Sequence, residues 1–332
     1  MNIKLKLTKI IAMIASIMLI VMPFSACNDD NGLTKVRLNE VTHSVFYTPL
    51  YVAIEKGFFE EEGIEIELTN GGGADASMTA ILSGSADVGL MGPETVIYVQ
   101  NQGKKDAPKV FGQLTQKDGS FLVSRNPEPD FEWTDLEGKE ILAGRRGGVP
   151  AMTFEYVLKE LGLSNYTLNY DVQFNLMTSA FIGGTADYCT VFEPTASEYQ
   201  SNGTWHIVAS VGEQSGEIPY TSFIALESYI NENTETIRSF LKAIKKAYDF
   251  MESNTERTVA ETIVKQFPST SITSIETSIK SYKNINAWTT NLQATERSFN
   301  RLQDVMTNAG ELSARVAFSK LVNNSHAKAI FG

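Results

Sequence analysis

The residues best suited to gripping a small molecule fall on loops that join apolar, strand-like runs to helix starts. The first, His43 to Thr48, holds an imidazole and two adjacent rings, Phe46 and Tyr47, able to stack on a planar ligand. His43 can face that ligand or serve as a hydrogen-bonded structural residue. The second, Asn70 to Ala74, has three consecutive glycines, with Gly72 at its centre. Such a loop allows close backbone approach and exposes N–H groups, or is a plain turn. No Gly-Lys-Ser/Thr follows, which excludes a nucleotide P-loop. The third, Met91-Gly92-Pro93-Glu94, brings backbone N–H groups at a helix start to a carboxylate. The fourth is Gly144-Arg145-Arg146-Gly147-Gly148. One arginine there, assigned as Arg146 beside Gly147, can grip an anion with two parallel hydrogen bonds. Glu193 ends one strand and opens a helix, placed to accept from an amino or ring N–H donor. Ser120 and Tyr220 sit at the two expected crossovers, where both lobes would meet a ligand.

Catalytic constellations are missing from this inventory. The three histidines, at 43, 206 and 326, form no His-x-x-x-His pair and have no neighbouring cysteine. No Gly-x-Ser-x-Gly elbow, zincin motif or dinucleotide fingerprint occurs. The expectation is a non-enzyme with no metal and no cofactor. Cys189 reads as a small buried hydrophobe.

These loops need a scaffold, and the chain writes one twice. Val36, Leu38 and Val41 begin a strand, and Thr48 can cap a helix with Pro49 at its first position. Ile64, Ile66 and Leu68 alternate with Glu65 and Glu67 as in a strand, and the glycine loop leads into a helix ending at Gly84. Val88 to Met91 is a short strand, followed by a Gly92-Pro93 helix start. About 100 residues later the grammar returns, with Gly84, Ala86 and Asp87 matched by Gly184, Ala186 and Asp187. Two copies imply two similar α/β lobes. Ser120 to Val123 and Thr221 to Leu226 are the strands on which the chain leaves the first lobe and returns. The expected limits are 36–122 plus 222–332 for lobe one and 123–221 for lobe two. After residue 230 the chain is mainly helical.

The N-terminus is an address. Lys4, Lys6 and Lys9 precede an uncharged apolar run from Ile10 to Met22, the length of a signal-peptide core and too short for a membrane span. Pro23-Phe24-Ser25-Ala26-Cys27 then resembles the lipobox of bacterial lipoproteins. That resemblance implies cleavage after residue 26, acylation of Cys27 and a tether over 27–35, holding the domain to the outer face of a cell membrane. Lys+Arg is 28 against Asp+Glu 39, a net charge of −11, and the leader carries none of the acids. Such a surface argues against nucleic acid and against charge-driven docking on anionic lipid.

Tyr51-Val52-Ala53-Ile54-Glu55-Lys56-Gly57-Phe58-Phe59-Glu60-Glu61-Glu62-Gly63-Ile64 resembles the opening signature of the SsuA/THI5-like (NMT1-like) group. These are the ABC-importer substrate-binding proteins for sulfonate, nitrate, taurine and thiamine pyrimidines. Leu82 to Gly89 and Val191-Phe192-Glu193-Pro194 resemble two further motifs of that family. The resemblance implies a bilobed periplasmic-binding-protein (type II) fold, with two α/β lobes, two crossover strands and the ligand between them. It also implies a permease and ATPase as partners of a monomeric receptor. A sensor for a membrane signalling partner is an alternative, as is a thiamine-pyrimidine enzyme, for which no matching His/Cys cluster is seen. An aminopyrimidine-like heterocycle is the favoured cargo, through Phe46, Tyr47 and Glu193. A sulfonate- or nitrate-type anion would use the arginine loop and helix N-termini instead.

Overall fold

The computed structural model describes residues 32–332. The expected leader and its Cys27 lie outside the described residues. Thr34 and Lys35, read from sequence as tether, already pair with Ile64 and Glu65, so the first strand begins there.

The first half runs β1 (Thr34–Glu40), α1 (Thr48–Glu55), β2 (Ile64–Asn70), α2 (Ala74–Ser83), β3 (Val88–Met91), α3 (Glu94–Asn101) and β4 (Pro108–Thr115). The second runs β5 (Ser120–Ser124), β6 (Glu140–Leu142), α4 (Val149–Glu160), β7 (Thr167–Asn169), α5 (Met177–Ile182), β8 (Tyr188–Phe192), α6 (Thr195–Ser201) and β9 (His206–Ser210). Then come β10 (Thr221–Leu226) and the helices α7 (Thr234–Ser253), α8 (Glu256–Ile263), α9 (Ile272–Asn284) and α10 (Glu296–Asn308).

Two five-stranded sheets result, in the orders β2-β1-β3-β10-β4 and β7-β6-β8-β5-β9. They are built alike. Three parallel strands are followed by an antiparallel one, β10 or β5, which then pairs antiparallel with the edge strand. In each sheet the antiparallel strand is the one that arrives from the other half. The chain passes between the sheets at residues 116–119 and 216–220. Ser120–Ser124 pairs along its whole length with β8, so the first passage precedes it.

The repeated Gly-x-Ala-Asp has one physical explanation in both halves. Gly84 and Gly184 take φ of +74° and +87°, the left-handed turn that ends a helix and favours glycine. Ala86 and Ala186 are buried. The Asp87 carboxylate accepts from the Arg37 backbone N–H at 2.9 Å, and Asp187 does the same for Glu140. Each aspartate therefore locks the start of its own strand, β3 or β8, onto the neighbouring parallel strand, β1 or β6.

The C-terminal helices reach both halves. Ile237, Phe240, Leu241 and Ile244 bury one stripe of α7, with the Phe240 ring 4.9 Å from Phe223 of β10. Tyr282 of α9 accepts a hydrogen bond from the Glu193 N–H at 3.0 Å, at the head of α6. Lys159 of α4 donates to the Asn308 carbonyl of α10 at 3.1 Å.

A buried polar cluster pins the end of β1. Glu40 Oε1 lies 2.7 Å from His43 Nδ1, and the Tyr51 hydroxyl donates to Glu40 Oε2 at 2.6 Å. His43 Nε2 lies 2.8 Å from the Gln266 carbonyl. Both ring nitrogens face acceptors, an arrangement that favours the doubly protonated ring. Burial opposes that charge, but the Glu40 carboxylate and the Gln266 carbonyl outweigh it and raise the pKa.

Two outcomes are expected. His43 stabilises the fold below its unfolded pKa of about 6.5, and that contribution disappears as pH rises through its raised folded value. The urea midpoint of the native protein should fall over that interval, and Glu40→Gln should flatten the fall; an unchanged profile in the variant refutes the pairing. Trp205 is fully buried between Phe181 and Tyr199, with its Nε1–H donating to the Ala196 carbonyl at 3.0 Å. Trp205→Ala should cost about 3–5 kcal/mol in equilibrium unfolding.

Candidate functional site

Between the two sheets lies a cavity of about 480 Å³, within the range of small-molecule sites. Its walls come from loops at the C-terminal ends of strands and from the helix starts that follow them, as in open α/β folds generally.

The loop after β1 supplies an aromatic wall. Ser44, not Thr48, caps the turn: its Oγ accepts from the Phe46 N–H at 3.2 Å. Phe46 and Tyr47 then both line the cavity. The Phe46 ring sits 4.7 Å from Tyr282 and 5.9 Å from Tyr220. Its face also lies where Gly119 would carry a Cβ, so glycine is required at that passage. His43 lines the cavity as well, but its nitrogens are committed to Glu40 and Gln266. Thr48 is fully buried, its hydroxyl donating to the Val45 carbonyl at 2.6 Å, and it does not reach the cavity.

The glycine loop is a turn before it is a cradle. Gly72 lines the cavity at φ +70°, yet its N–H donates to Asn70 Oδ1 at 2.8 Å. Asn70, Gly73 and Ala74 line the same wall.

At the head of α3, Gly92 and Glu94 line the cavity and Met91 does not. The Met91 side chain folds back into the space a Cβ on Gly89 would fill. Glu94 is 2% exposed, and its Oε2 is buried without a hydrogen-bond partner. Burial pushes its pKa up to about 7, against the pull of the Glu94 and Val149 N–H groups and of the Arg145 charge. A Cβ on Gly92 would collide with this carboxyl group, so Gly92 makes room for it.

The arginine loop reverses the expected roles. Arg145 lines the cavity, and Arg146 and Gly147 do not. Arg146 stacks its guanidinium 4.3 Å above the Tyr170 ring. The Gly147 carbonyl accepts from the Tyr98 hydroxyl at 3.0 Å. Arg145 forms two bonds with Asp75 of α2, at 2.7 and 3.0 Å. Val149 and Pro150, opening α4, complete this side.

Glu193 lines the cavity, but its carboxylate is spent on its own helix. It accepts from Ser197 N at 2.9 Å and Ser197 Oγ at 2.7 Å, while burial raises its pKa. Tyr220 lines the cavity at the second passage. Ser120 is buried away from the cavity, donating from N and Oγ to Asp118 Oδ1 at 2.7 and 2.6 Å. Burial pushes the Asp118 carboxyl up to about 7.

The sequence reading therefore finds His43, Phe46, Tyr47, Gly72, Gly92, Glu94, Glu193 and Tyr220 around one cavity. It overlooks Phe174, Asn175, Met177 and Thr178, the loop and first turn of α5. The internal repeat contained a pointer, because this loop is the second half's counterpart of Asn70–Ala74. It carries no glycine to draw attention.

Among the described residues no cluster of three or more His, Cys, Asp or Glu is arranged to hold a metal ion. Cys189 is buried in β8, and burial pushes its thiol up to about 12. Among the described residues no helix is long and apolar enough to cross a membrane.

The family described as NMT1/THI5 like matches residues 45–258. YtlA of Bacillus subtilis (strain 168) is 42% identical over 309 residues, 92% of each chain. The formylaminopyrimidine-binding protein of Halalkalibacterium halodurans is 26% identical over 271 residues, 76% of this chain and 78% of that one. The alkanesulfonate-binding protein SsuA of Xanthomonas axonopodis pv. citri, solved with MOPS bound, superposes with a TM-score of 0.71 at 18% identity. That superposition covers 88% of this chain and 99% of SsuA. The two-sheet architecture is thus the periplasmic-binding-protein fold, and the chain belongs to the NMT1/THI5-like family.

Proposed function

We propose that this chain is the extracytoplasmic solute-binding component of an ABC importer, and that its cargo is an aminopyrimidine-like heterocycle. Lobe closure about the passages at 116–119 and 216–220 is the signal to a permease and its ATPase. A ligand favours the closed state only by its differential affinity for it, and a cavity walled from both sheets supplies that difference. Acylation at Cys27 is the proposed tether to the membrane.

The observation that carries the cargo assignment is Glu94. A buried carboxyl oxygen without a partner is costly, and a bound donor or acceptor removes the cost. Near neutral pH this group exists in both forms. As the acid, its unpartnered Oε2 can donate to a ring nitrogen of an aminopyrimidine. Phe46, Tyr47, Tyr220 and Phe192 line the cavity with aromatic surface suited to a flat ring. The kinship with a formylaminopyrimidine-binding protein points the same way. Glu193 does not share this role, because both its oxygens serve Ser197. An anionic cargo is disfavoured because Arg145, which lines the cavity, is already neutralised by Asp75.

Titration calorimetry with a formylaminopyrimidine tests this reading. Glu94→Leu should weaken binding about 10- to 100-fold, the worth of a hydrogen bond to a chargeable buried group. Glu94→Gln keeps a donor and an acceptor, so it should stay within about tenfold of the native protein. Native affinity should fall as pH rises above about 7 and the acid form is lost, with the glutamine variant insensitive over the same interval. Undiminished binding by Glu94→Leu overturns the assignment.

A further inference from the structure

We propose that Asp75 sets the class of solute this cleft accepts, by occupying the Arg145 guanidinium in place of an anionic ligand. The inference rests on the cleft being the solute site.

Arg145 stands in the loop before α4 and lines the cavity. Its Nη1 and Nη2 donate to Oδ2 and Oδ1 of Asp75 at 2.7 and 3.0 Å. Two parallel N–H···O bonds are what a solute's carboxylate or sulfonate would make with the same fork. Asp75 comes from the first turn of α2 in one half of the molecule, and Arg145 from the other half. The pair therefore spans the rim of the cleft. Among the described residues lining the cavity, the cationic side chains are Arg145 and His43. His43 directs both nitrogens away, to Glu40 and Gln266. With Arg145 also satisfied, an entering anion finds no free cation and meets Glu94 instead. A heterocycle with an amino group needs only Glu94 and the rings.

Asp75 itself is dispensable to the fold. Its side chain is 77% exposed, and it is not among the residues lining the cavity. Exposed ion pairs contribute little to stability, so losing this one leaves both lobes and the aromatic walls in place. It does release a guanidinium that is partly shielded from water beside the N-terminus of α4.

The test compares the full chain with Asp75→Asn by calorimetry at pH 6, using ethanesulfonate and a formylaminopyrimidine as probes. Asp75→Asn should bind ethanesulfonate about three- to fivefold more tightly than the unaltered chain, with pyrimidine affinity changed by less than about twofold. The sulfonate gain should vanish in the Asp75→Asn/Arg145→Gln double variant, which assigns it to the freed guanidinium. No gain in Asp75→Asn, in a variant whose thermal unfolding matches the native chain, overturns the proposal. So does a gain that survives in the double variant. If the unaltered chain fails to bind the pyrimidine, the cargo assignment falls, while the sulfonate comparison still decides the role of Asp75.

Discussion

Glu94 lies where the first turn of α3 meets the start of α4, taken out of water from both sides of the cleft. A carboxyl group in such a place must be neutralised, bonded or both. Here the surroundings do part of that work. Backbone N–H groups of Glu94 and Val149 face it, and Arg145 contributes charge from nearby. Gly92 surrenders its side chain so that the carboxyl can fit. One oxygen is nevertheless left without a partner. Much of the cleft can be understood from that remainder, because whatever enters must satisfy it, and the two halves must stay close enough to keep it dry.

The aromatic wall extends this dependence to the passages between the sheets. Phe46 packs against Tyr282, Tyr220 and the bare backbone of Gly119, so it touches both passages between the sheets and a C-terminal helix. The Trp288 Nε1–H donates to the Phe46 carbonyl at 2.8 Å and fixes the loop from behind. Alongside, Asp118 holds Ser120 at the entry to β5, next to Tyr220 at the entry to β10. The second passage thus itself presents a ring, Tyr220, to the cavity, and the first is packed against another, Phe46.

How much of this was legible in the sequence depends on whether the signal was local. The Gly-x-Ala-Asp repeat could be read because each residue serves a local geometric need: a left-handed turn, a small buried side chain, a carboxylate one strand away. Glycine and proline at helix starts likewise located the loops that ring the cavity. Choices between neighbours were not legible. Which of Arg145 and Arg146 faces inward depends on Asp75 and Tyr170, 70 and 24 positions away. Met91 was placed in the cleft by its position after a strand, but the empty site on Gly89 takes its side chain. Thr48 looked like a cap because proline follows it, whereas Ser44, four residues earlier, caps the turn that comes first. Glu193 was suitable for a ligand until the helix it opens claimed both oxygens.

The C-terminal helices also constrain mechanics. Tyr282 of α9 holds the backbone at Glu193, and Asn308 of α10 receives Lys159 from α4. The C-terminal helices thus bond to the second half as well as packing on the first, so the two sheets are joined by more than the two passages of chain. Any relative movement of the two sheets must therefore break these bonds or carry the helices along with one half.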